Sequence, residues 1–389
     1  MATEQDAPFI VFGAPDIRSD EIDEIVATLE SGWIGTGPRV AQFEQEFAAY
    51  KSVPPSQAAA VNSCTAALHV SMVAADLQPG DEVITTAMTF CATANAIIHS
   101  GATPVIADID PDTYNIDIEQ LEQRITSRTR AVVPVHFAGR PCDMDRIGTL
   151  AEKHDLIVIE DCAHAIETQW HGQQAGTFGD FGCFSFYVTK NVVTGEGGMI
   201  LGRSQDLVNK IKILALHGMS KDAWRRFGDE GFKHYEVVEA GFKYNMMDLQ
   251  AALGIHQLRR VEQNWLRRHE IWDQYQRAFA GLPADRPAEP DADTRHAYHL
   301  YTLKIDEQAC SVSRDALMSR LGEAGIGTGV HYRSLAQQPF YQETFGWRPE
   351  DYPVSTAFGD QTISLPLGPK LEDIDVERII ESVTAVLGK

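Results

Sequence analysis

The chain has 389 residues, a hydrophobic share of 44% and a formal net charge of −22 at pH 7. This length and composition predict two or three domains built around sizeable cores. The strong negative charge argues against nucleic acid and anionic membrane surfaces as partners.

The first residues lack the basic and apolar regions of a signal peptide, and no apolar run approaches the ~18 residues of a membrane-spanning helix. The six cysteines are scattered without the spacing of metal ligands. Most of them lie in apolar or strand-end contexts, where buried, reduced thiols are expected. We therefore expect a cytoplasmic protein without a metal site.

An amphipathic segment at residues 19–29 precedes a glycine-rich loop at residues 31–38. A loop of this kind can hold a phosphate group, but here it has neither a P-loop lysine nor a preceding strand. A surface turn explains the pattern equally well.

Apolar runs alternate with helical patterns from residue 58 to about residue 200, which predicts βαβ units and a mostly parallel sheet. The predicted strands cover residues 58–63, 82–87, 103–109, 130–137, 156–162, 181–187 and 197–203. The expected fold class is therefore α/β. Cys64 opens a helix directly after the first strand, and backbone N–H groups at such a start can bind an anion.

The strand at 156–162 ends in the acidic pair Glu160 and Asp161. Open α/β sheets bind their ligands at the carboxyl ends of the strands. A carboxylate there could keep the nitrogen of a pyridine cofactor protonated. The alternative for Asp161 is the N-cap of the next helix.

The strand at 181–187 is rich in aromatic residues and ends just before Lys190. A lysine in this position can be desolvated, which lowers its pKa. A neutral amine there suits a Schiff-base nucleophile. The alternative is a lysine that extends from the strand end into solvent.

Three motifs together, Glu160-Asp-Cys-Ala-His164, Phe184-Ser-Phe-Tyr-Val-Thr-Lys190 and Thr194-Gly-Glu-Gly-Gly198, resemble those of the DegT-type sugar aminotransferases. These are pyridoxal-phosphate enzymes of the aspartate aminotransferase fold, known as fold type I, and the likeness covers nearly the whole chain. It implies a large cofactor-binding domain at 1–255 with a mostly parallel, seven-stranded sheet. A smaller α+β domain, including a linking helix, is implied at 256–389.

The resemblance also implies pyridoxal 5′-phosphate as the cofactor and L-glutamate as the amino donor, which leaves as 2-oxoglutarate. The acceptor would be a keto-sugar nucleotide, and a nucleoside-diphosphate 4-keto sugar is the favoured form. Amination at C3, a keto-cyclitol acceptor, or a pyridoxal-phosphate-binding regulator without catalysis are the alternatives.

In this resemblance Lys190 carries the cofactor and moves protons, and Asp161 keeps the ring nitrogen protonated. The implied cofactor-binding positions are Thr65, Ala66, Phe90, Asp161, His164, Ser185, Lys190, Lys243 and Asn245. His164 is expected to support the ring oxygen or the Asp161 carboxylate. A simple helix cap at Thr65 and a core position for Phe90 are the alternatives.

The implied substrate-binding positions are Trp33, His331 and Arg333. The last two form a basic pair at the end of a predicted strand, in a tail that most resembles the aminotransferase that forms UDP-4-amino-4-deoxy-L-arabinose. They are expected to contact the sugar or the diphosphate, since arginine suits phosphate. A surface pair is the alternative.

The segment from Gly241 to Asn245 resembles a family loop that reaches the cofactor phosphate of the neighbouring subunit, which implies a homodimer with shared active sites. The commoner family form has Asn where this chain has Lys243, and Arg where it has Asn245. Both residues lie on one face of an extended segment, so either could reach the phosphate. After this loop, apolar spacings of three, four and seven predict one long helix from about residue 248 to residue 280.

Overall fold

A computed structural model of the chain describes residues 8–220 and 235–388. Within these residues a central sheet has seven strands. They are β1 (Ala58–Val61), β2 (Glu82–Thr86), β3 (Thr103–Ala107), β4 (Thr129–Val133), β5 (Ile157–Asp161), β6 (Phe181–Ser185) and β7 (Gly198–Gly202). Each begins within one residue of its predicted start, and the α/β fold class is confirmed.

The strand order across the sheet is β1-β7-β6-β5-β4-β2-β3. The neighbours from β3 to β6 run parallel, and β7 runs antiparallel to both β1 and β6. Asp161 at the end of β5 lies opposite Cys183 of β6. The segments that follow Asp161 and Ser185 therefore leave the sheet at the same edge.

The helices pack against this sheet and around a smaller one. In chain order those of the described residues are α1 (Ser19–Glu30), α2 (Pro38–Tyr50), α3 (Cys64–Ala74), α4 (Cys91–His99), α5 (Ile118–Arg124), α6 (Met144–His154), α7 (Gln205–Leu214), α8 (Asp248–Arg259), α9 (Val261–Ala278), α10 (Glu307–Cys310), α11 (Arg314–Glu323), α12 (Pro339–Phe345), α13 (Pro353–Gln361) and α14 (Asp373–Leu387). No helix in the described part of the chain is long and apolar enough to cross a membrane.

Both faces of the sheet are buried. Ala59 and Val61 of β1 belong to a core cluster with residues of α3 and α7, whereas Ala58 and Ala60 belong to another with residues of α2 and α8. Successive side chains of a strand point to opposite faces. Helices on both faces explain why the strands are continuous apolar runs.

The single helix predicted from residue 248 to residue 280 is wrong, because the chain forms α8 and α9 with a break at Arg260. The backbone of Arg260 has φ −100° and ψ 0°, outside the helical range. Its guanidinium forms an ion pair with the buried carboxylate of Glu21 and a hydrogen bond to the carbonyl of Asp16. These contacts with the N-terminal segment hold the side chain where the helix is interrupted.

A second sheet lies in the C-terminal part of the chain. Its strands are Ala284–Asp285, Tyr301–Ile305 and Thr362–Leu365. Trp272 and Tyr275 of α9 pack against this sheet together with α11 and α14. The division of the chain into domains at residue 255 stays a prediction.

The strand predicted to end at His331 and Arg333 is also wrong. Gly329 forms an isolated bridge with Ser364, and beyond it the chain leaves the small sheet. The N–H of Tyr332 then approaches the sulfur of Met88 at 3.3 Å. The backbone turns toward the large sheet, which brings residues 331–333 to its carboxyl edge.

Candidate active site

A cavity of about 500 Å³ opens at the carboxyl ends of β5 and β6. It is lined by the ends of these strands, by the starts of α3 and α4, and by the segment that contains His331. The predicted site residues that line it are Thr65, Phe90, Asp161, His164, Ser185, Lys190 and His331. The structure therefore brings together residues that lie far apart in the sequence.

Asp161 is held in place by two hydrogen bonds. Its Oδ2 accepts a hydrogen bond from Thr93 Oγ1 at 2.8 Å, and its Oδ1 accepts one from the N–H of Ala163 at 3.1 Å. Burial raises the pKa of Asp161, while these hydrogen bonds and the Lys190 ammonium oppose the shift. A cation in the cavity would stabilise the ionised carboxylate.

Glu160 and Asp161 face opposite sides of the sheet. The Glu160 carboxylate is fully buried and accepts hydrogen bonds from the N–H groups of Gly176, Phe178 and Gly179. It also contacts His136 Nε2 at 3.1 Å. Glu160 thus fixes the turn before β6, and Asp161 is the member of this pair that faces the cavity.

Lys190 follows the end of β6 by five residues, and its side chain lines the same cavity as Asp161. Burial lowers the pKa of Lys190 to about 8, with Cys64 and Asp161 opposing the shift. A considerable fraction of this amine is therefore neutral at physiological pH. A neutral amine can act both as a nucleophile and as a proton acceptor.

The start of α3 forms an anion-binding corner of the cavity. Ser63 Oγ accepts the N–H of Ala66 at 3.1 Å, whereas the N–H groups of Cys64 and Thr65 have no acceptor within residues 8–220 and 235–388. The backbone of Gly198 lies so close to this corner that a Cβ atom would come within 2.7 Å of the Ser63 carbonyl. Unpaired N–H groups at a helix start attract phosphate.

His164 does not contact the Asp161 carboxylate. Its Nδ1 accepts a hydrogen bond from the N–H of Ala138 at 3.2 Å, and its Nε2 lies 3.0 Å from the hydroxyl of Tyr332. Burial holds the pKa of His164 well below its usual range. Sequence reasoning missed Tyr332, although it lies between the two predicted substrate residues His331 and Arg333.

The prediction of a basic pair at residues 331 and 333 does not hold for His331, which carries no positive charge. Its Nδ1 lies 2.9 Å from Ser364 Oγ, and its ring stacks on that of Phe12. Burial, with a contribution from Lys190, lowers the pKa of His331 to about 4. His331 is therefore neutral at physiological pH.

A second polar network lies behind Lys190. The amide of Asn191 donates to Glu167 at 2.9 Å and to the carbonyl of Ala297 at 2.9 Å, and its oxygen lies 3.0 Å from His299 Nδ1. Burial raises the pKa of Glu167 to about 7. This network fixes the residue that follows Lys190. In the sequence, this network is indicated only by the acidic residue Glu167, three positions after His164.

A cavity of about 570 Å³ adjoins the first and shares Thr89, Phe90 and Tyr332 with it. Phe90 lies at the junction with 57% of its surface exposed. Arg333 lines the second cavity, and its guanidinium has neither an ion pair nor a hydrogen bond in the described part of the chain. The second cavity thus offers an unpaired cation.

Trp33, Lys243 and Asn245 do not line either of these cavities. Asn245 Nδ2 donates to Thr36 Oγ1 at 2.6 Å, and Trp33 Nε1 donates to the Thr36 carbonyl at 3.1 Å. A Cβ atom on Gly37 would clash with the Trp33 ring, so the turn requires glycine there. The two loops predicted near substrate and partner therefore lie against each other.

Lys243 differs from Asn245 because its side chain is exposed and forms no hydrogen bond or ion pair with the described residues. Its backbone carbonyl accepts a hydrogen bond from Asn62 Nδ2 at 3.2 Å. The position of the backbone is thus fixed while the ammonium group remains free.

Comparisons with known proteins agree over almost the full length. The model of the DegT/DnrJ/EryC1/StrS aminotransferase family matches residues 15–384. The spore coat polysaccharide biosynthesis protein SpsC of Bacillus subtilis is 49% identical over 380 residues, which cover 97% of each chain.

Solved structures are also similar to this chain. Spr1654 of Streptococcus pneumoniae, provisionally described as a sugar aminotransferase, has been solved in PLP and PMP forms. Its PMP form has a TM-score of 0.90 and 35% identity over 98% of each chain. PseC of Helicobacter pylori, described as an aminotransferase involved in pseudoaminic acid biosynthesis, has a TM-score of 0.89 and 28% identity, covering 98% of this chain and 100% of its own.

Proposed function

Because this chain belongs to the DegT/DnrJ/EryC1/StrS aminotransferase family, we propose that it aminates a keto-sugar nucleotide, specifically a nucleoside-diphosphate 4-keto sugar, with L-glutamate as the donor. That it is a pyridoxal-phosphate-dependent sugar aminotransferase follows from the family and from its structural neighbours. The proposal adds the nucleotide-linked acceptor and the glutamate donor to this activity.

The residues present suit the cofactor. The unpaired N–H groups of Cys64 and Thr65, with the hydroxyls of Thr65 and Ser185, would hold its phosphate. The N–H of Ala66 already donates to Ser63 Oγ, so a phosphate contact of Ala66 stays a prediction. Asp161 would face its ring nitrogen, and Phe90 would contact its ring. When bound, pyridoxal phosphate supplies an aldehyde that takes up an amino group and a ring that withdraws electrons from the reacting carbon.

The catalytic roles in this proposal belong to Lys190 and Asp161. Lys190, with its pKa lowered to about 8, alternates between neutral and charged forms and so both accepts and returns a proton. Asp161, fixed by Thr93 and Ala163, keeps a positive charge on the ring nitrogen favourable. His164 lines the pocket beside these two residues.

The second cavity is the observation that supports a nucleotide-linked substrate. It adjoins the cofactor pocket, has room for a group larger than a sugar, and carries the unpaired guanidinium of Arg333. This cation stands out against the net charge of −22, because an acidic chain that binds an anionic substrate must place positive charge locally. Arginine pairs well with a diphosphate, and His331 contributes a neutral hydrogen-bonding group at the sugar.

A homodimer with shared active sites is also part of the proposal. Ile22, Val26 and Leu29 form an exposed apolar row along one side of α1, and such rows mark interfaces. Lys243, rather than Asn245, is the group free to reach the partner's cofactor phosphate. The six cysteines are free, which suits a reducing compartment, and we include a cytoplasmic location in the proposal.

The test is a panel of nucleoside-diphosphate 3-keto and 4-keto sugars and keto-cyclitols, offered to the holoenzyme with L-glutamate. Product masses identify the acceptor, and 2-oxoglutarate release identifies the donor. Arg333→Ala should raise KM for the sugar nucleotide about 10- to 100-fold, since a hydrogen bond to a charged group contributes about 1.5–3 kcal/mol. The matched control is Arg320→Ala, an exposed arginine of α11 outside both cavities.

Amination of a C3 keto sugar or a keto-cyclitol by the panel would replace the proposed acceptor. Absence of any transfer, with the cofactor retained, would favour a binding protein. An equal KM for wild type and Arg333→Ala would remove the second cavity from substrate binding.

A further inference from the structure

The hydrogen bonds around His164 have a fixed direction. A backbone N–H can only donate, so the contact from Ala138 makes His164 Nδ1 an acceptor without a proton. The single proton of the neutral imidazole is then on Nε2. Burial holds the pKa of His164 well below its usual range, which keeps the ring neutral.

The same reasoning extends to Tyr332. The Nε2–H of His164 donates to the Tyr332 oxygen at 3.0 Å, so the Tyr332 hydroxyl accepts in this contact. Its own hydrogen has no other acceptor in the part of the chain that the structure describes. Burial raises the pKa of Tyr332, so the hydroxyl keeps its proton.

Tyr332 also lies at the junction between the two cavities. It lines both of them, as do Thr89 and Phe90. Thr89 Oγ1 is engaged with Thr93 Oγ1 at 2.8 Å, and Phe90 has no polar side-chain atom. Of the side chains that line both cavities, Tyr332 thus carries the free donor.

We propose that the Tyr332 hydroxyl donates a hydrogen bond to an uncharged oxygen, a hydroxyl or carbonyl, of the sugar held between the two cavities. A neutral donor suits an uncharged oxygen, whereas Arg333 and the start of α3 suit charged groups. This inference rests on the proposed function for the identity of the acceptor. It adds a substrate-binding residue and assigns His164 the task of orienting that donor.

The competing explanation is packing alone, because the Tyr332 ring contacts those of Phe90, Phe137 and His164. Tyr332→Phe keeps these ring contacts and removes only the hydroxyl. The matched control is Tyr114→Phe. Tyr114 is also buried and stacks on Phe358, but it lines neither of the two cavities.

The experiment measures the two half-reactions of the holoenzyme separately. The glutamate half is followed by the change in cofactor absorbance, and the sugar half by the reverse change when a keto-sugar nucleotide is added to the aminated enzyme. Calorimetry with the corresponding nucleotide sugar that lacks the keto group measures binding without turnover.

Tyr332→Phe should lower kcat/KM of the sugar half about 3- to 10-fold, the usual effect of one hydrogen bond between neutral groups. The Kd of the unreactive nucleotide sugar should rise by a similar factor. The glutamate half should change less than two-fold, and Tyr114→Phe should change neither half.

Equal effects of Tyr332→Phe on both halves would place the hydroxyl at the cofactor or at His164 and overturn the inference. Unchanged kinetics and binding would reduce Tyr332 to packing and overturn it as well. A wild-type enzyme that reacts with glutamate but with no keto-sugar nucleotide would instead overturn the proposed function, and with it the sugar oxygen as acceptor.

Discussion

Polar side chains in the cofactor pocket and at its rim, by which we mean Lys243 and Arg333, differ in whether the chain supplies their partners. In the pocket, Asp161 and His164 each have two partners within the chain. At the rim, the cationic groups of Lys243 and Arg333 have none among residues 8–220 and 235–388. Asp161 and His164 therefore find their partners within one chain, whereas the rim presents charges to something outside it.

Burial explains the difference. A buried polar group without a partner is unfavourable by several kcal/mol, so buried groups such as Asp161 and His164 must be paired by the fold itself. Exposed ammonium and guanidinium groups are solvated by water and need no partner for the chain to fold. The fold thus fixes the groups of the pocket, and the groups that folding leaves unpaired are the ones to which we assign substrate and partner recognition.

The largest expected effect tests the pocket side of this comparison. Lys190→Ala should lower kcat by about 10⁴-fold or more, because it removes the group that attaches the cofactor and moves the proton. Lys190→Arg is the control, since it keeps a charge but cannot supply a neutral amine. Near-normal transfer by the alanine variant, with cofactor content measured, would show that another group does this work.

Asp161→Asn should lower kcat by about 10²- to 10³-fold, the usual effect of losing one preorganised electrostatic contact. The fold should survive, because Thr93 Oγ1 can turn to accept from the new amide while Ala163 still donates to the oxygen. Turnover is compared at equal cofactor content. An unchanged kcat would give Asp161 a structural role only.

Glu167, in the network behind Lys190, is expected to lower the free energy of unfolding as the pH rises. Burial raises the pKa of Glu167 from 4.5 to about 7, so its contribution to stability is present below pH 4.5 and is lost as pH rises to about 7. The loss amounts to about 3 kcal/mol, or roughly 100-fold in the unfolding equilibrium.

Glu167→Gln should remove this part of the pH dependence. Urea unfolding of both proteins at pH 5 and pH 7.5 measures it, with the exposed Glu122→Gln as the control. The positive charge of Arg268 favours the ionised form of Glu167 and opposes the rise of its pKa. An identical pH dependence in wild type and Glu167→Gln would mean that this charge outweighs burial.

Features that depend on a local residue pattern could be predicted from the sequence. The strand ends that carry Asp161 and Lys190 were predicted from apolar runs, and the sheet confirms that these ends share an edge. The role of Tyr332 could not be predicted, because it depends on the direction of a hydrogen bond that starts at Ala138. The break at Arg260 depends on its contact with Glu21, which is equally remote in sequence.

The predicted loop at 241–245 shows a different limit. Residue pattern alone could not distinguish Lys243 from Asn245, since both lie on one face of an extended segment. The structure separates them because the Asn245 amide is engaged by Thr36 at 2.6 Å, and the Lys243 ammonium is not engaged. The alternation of side chains along an extended segment gives no information about Thr36, which lies in a distant turn of the chain.

The smallest expected effect tests the rim. Lys243→Ala should raise the Kd for pyridoxal phosphate about 10-fold, because one charge-assisted hydrogen bond to the partner's phosphate is lost. The effect should shrink at high salt, since an exposed ion pair is screened. The control is Arg277→Ala, an exposed cation at the end of α9. Asn245→Ala should instead loosen the turn at Thr36.

Mixing Lys190→Ala with Lys243→Ala subunits tests whether the proposed Lys243 contact crosses the proposed dimer. At limiting pyridoxal phosphate each parent dimer is impaired, the first in chemistry and the second in cofactor retention. A mixed dimer has one site that combines an intact Lys190 with an intact Lys243 from its neighbour, so activity should partly recover as subunits exchange. Exchange confirmed by mass without recovery would place Lys243 at its own subunit's site or away from the cofactor, and the rim would then serve only the substrate.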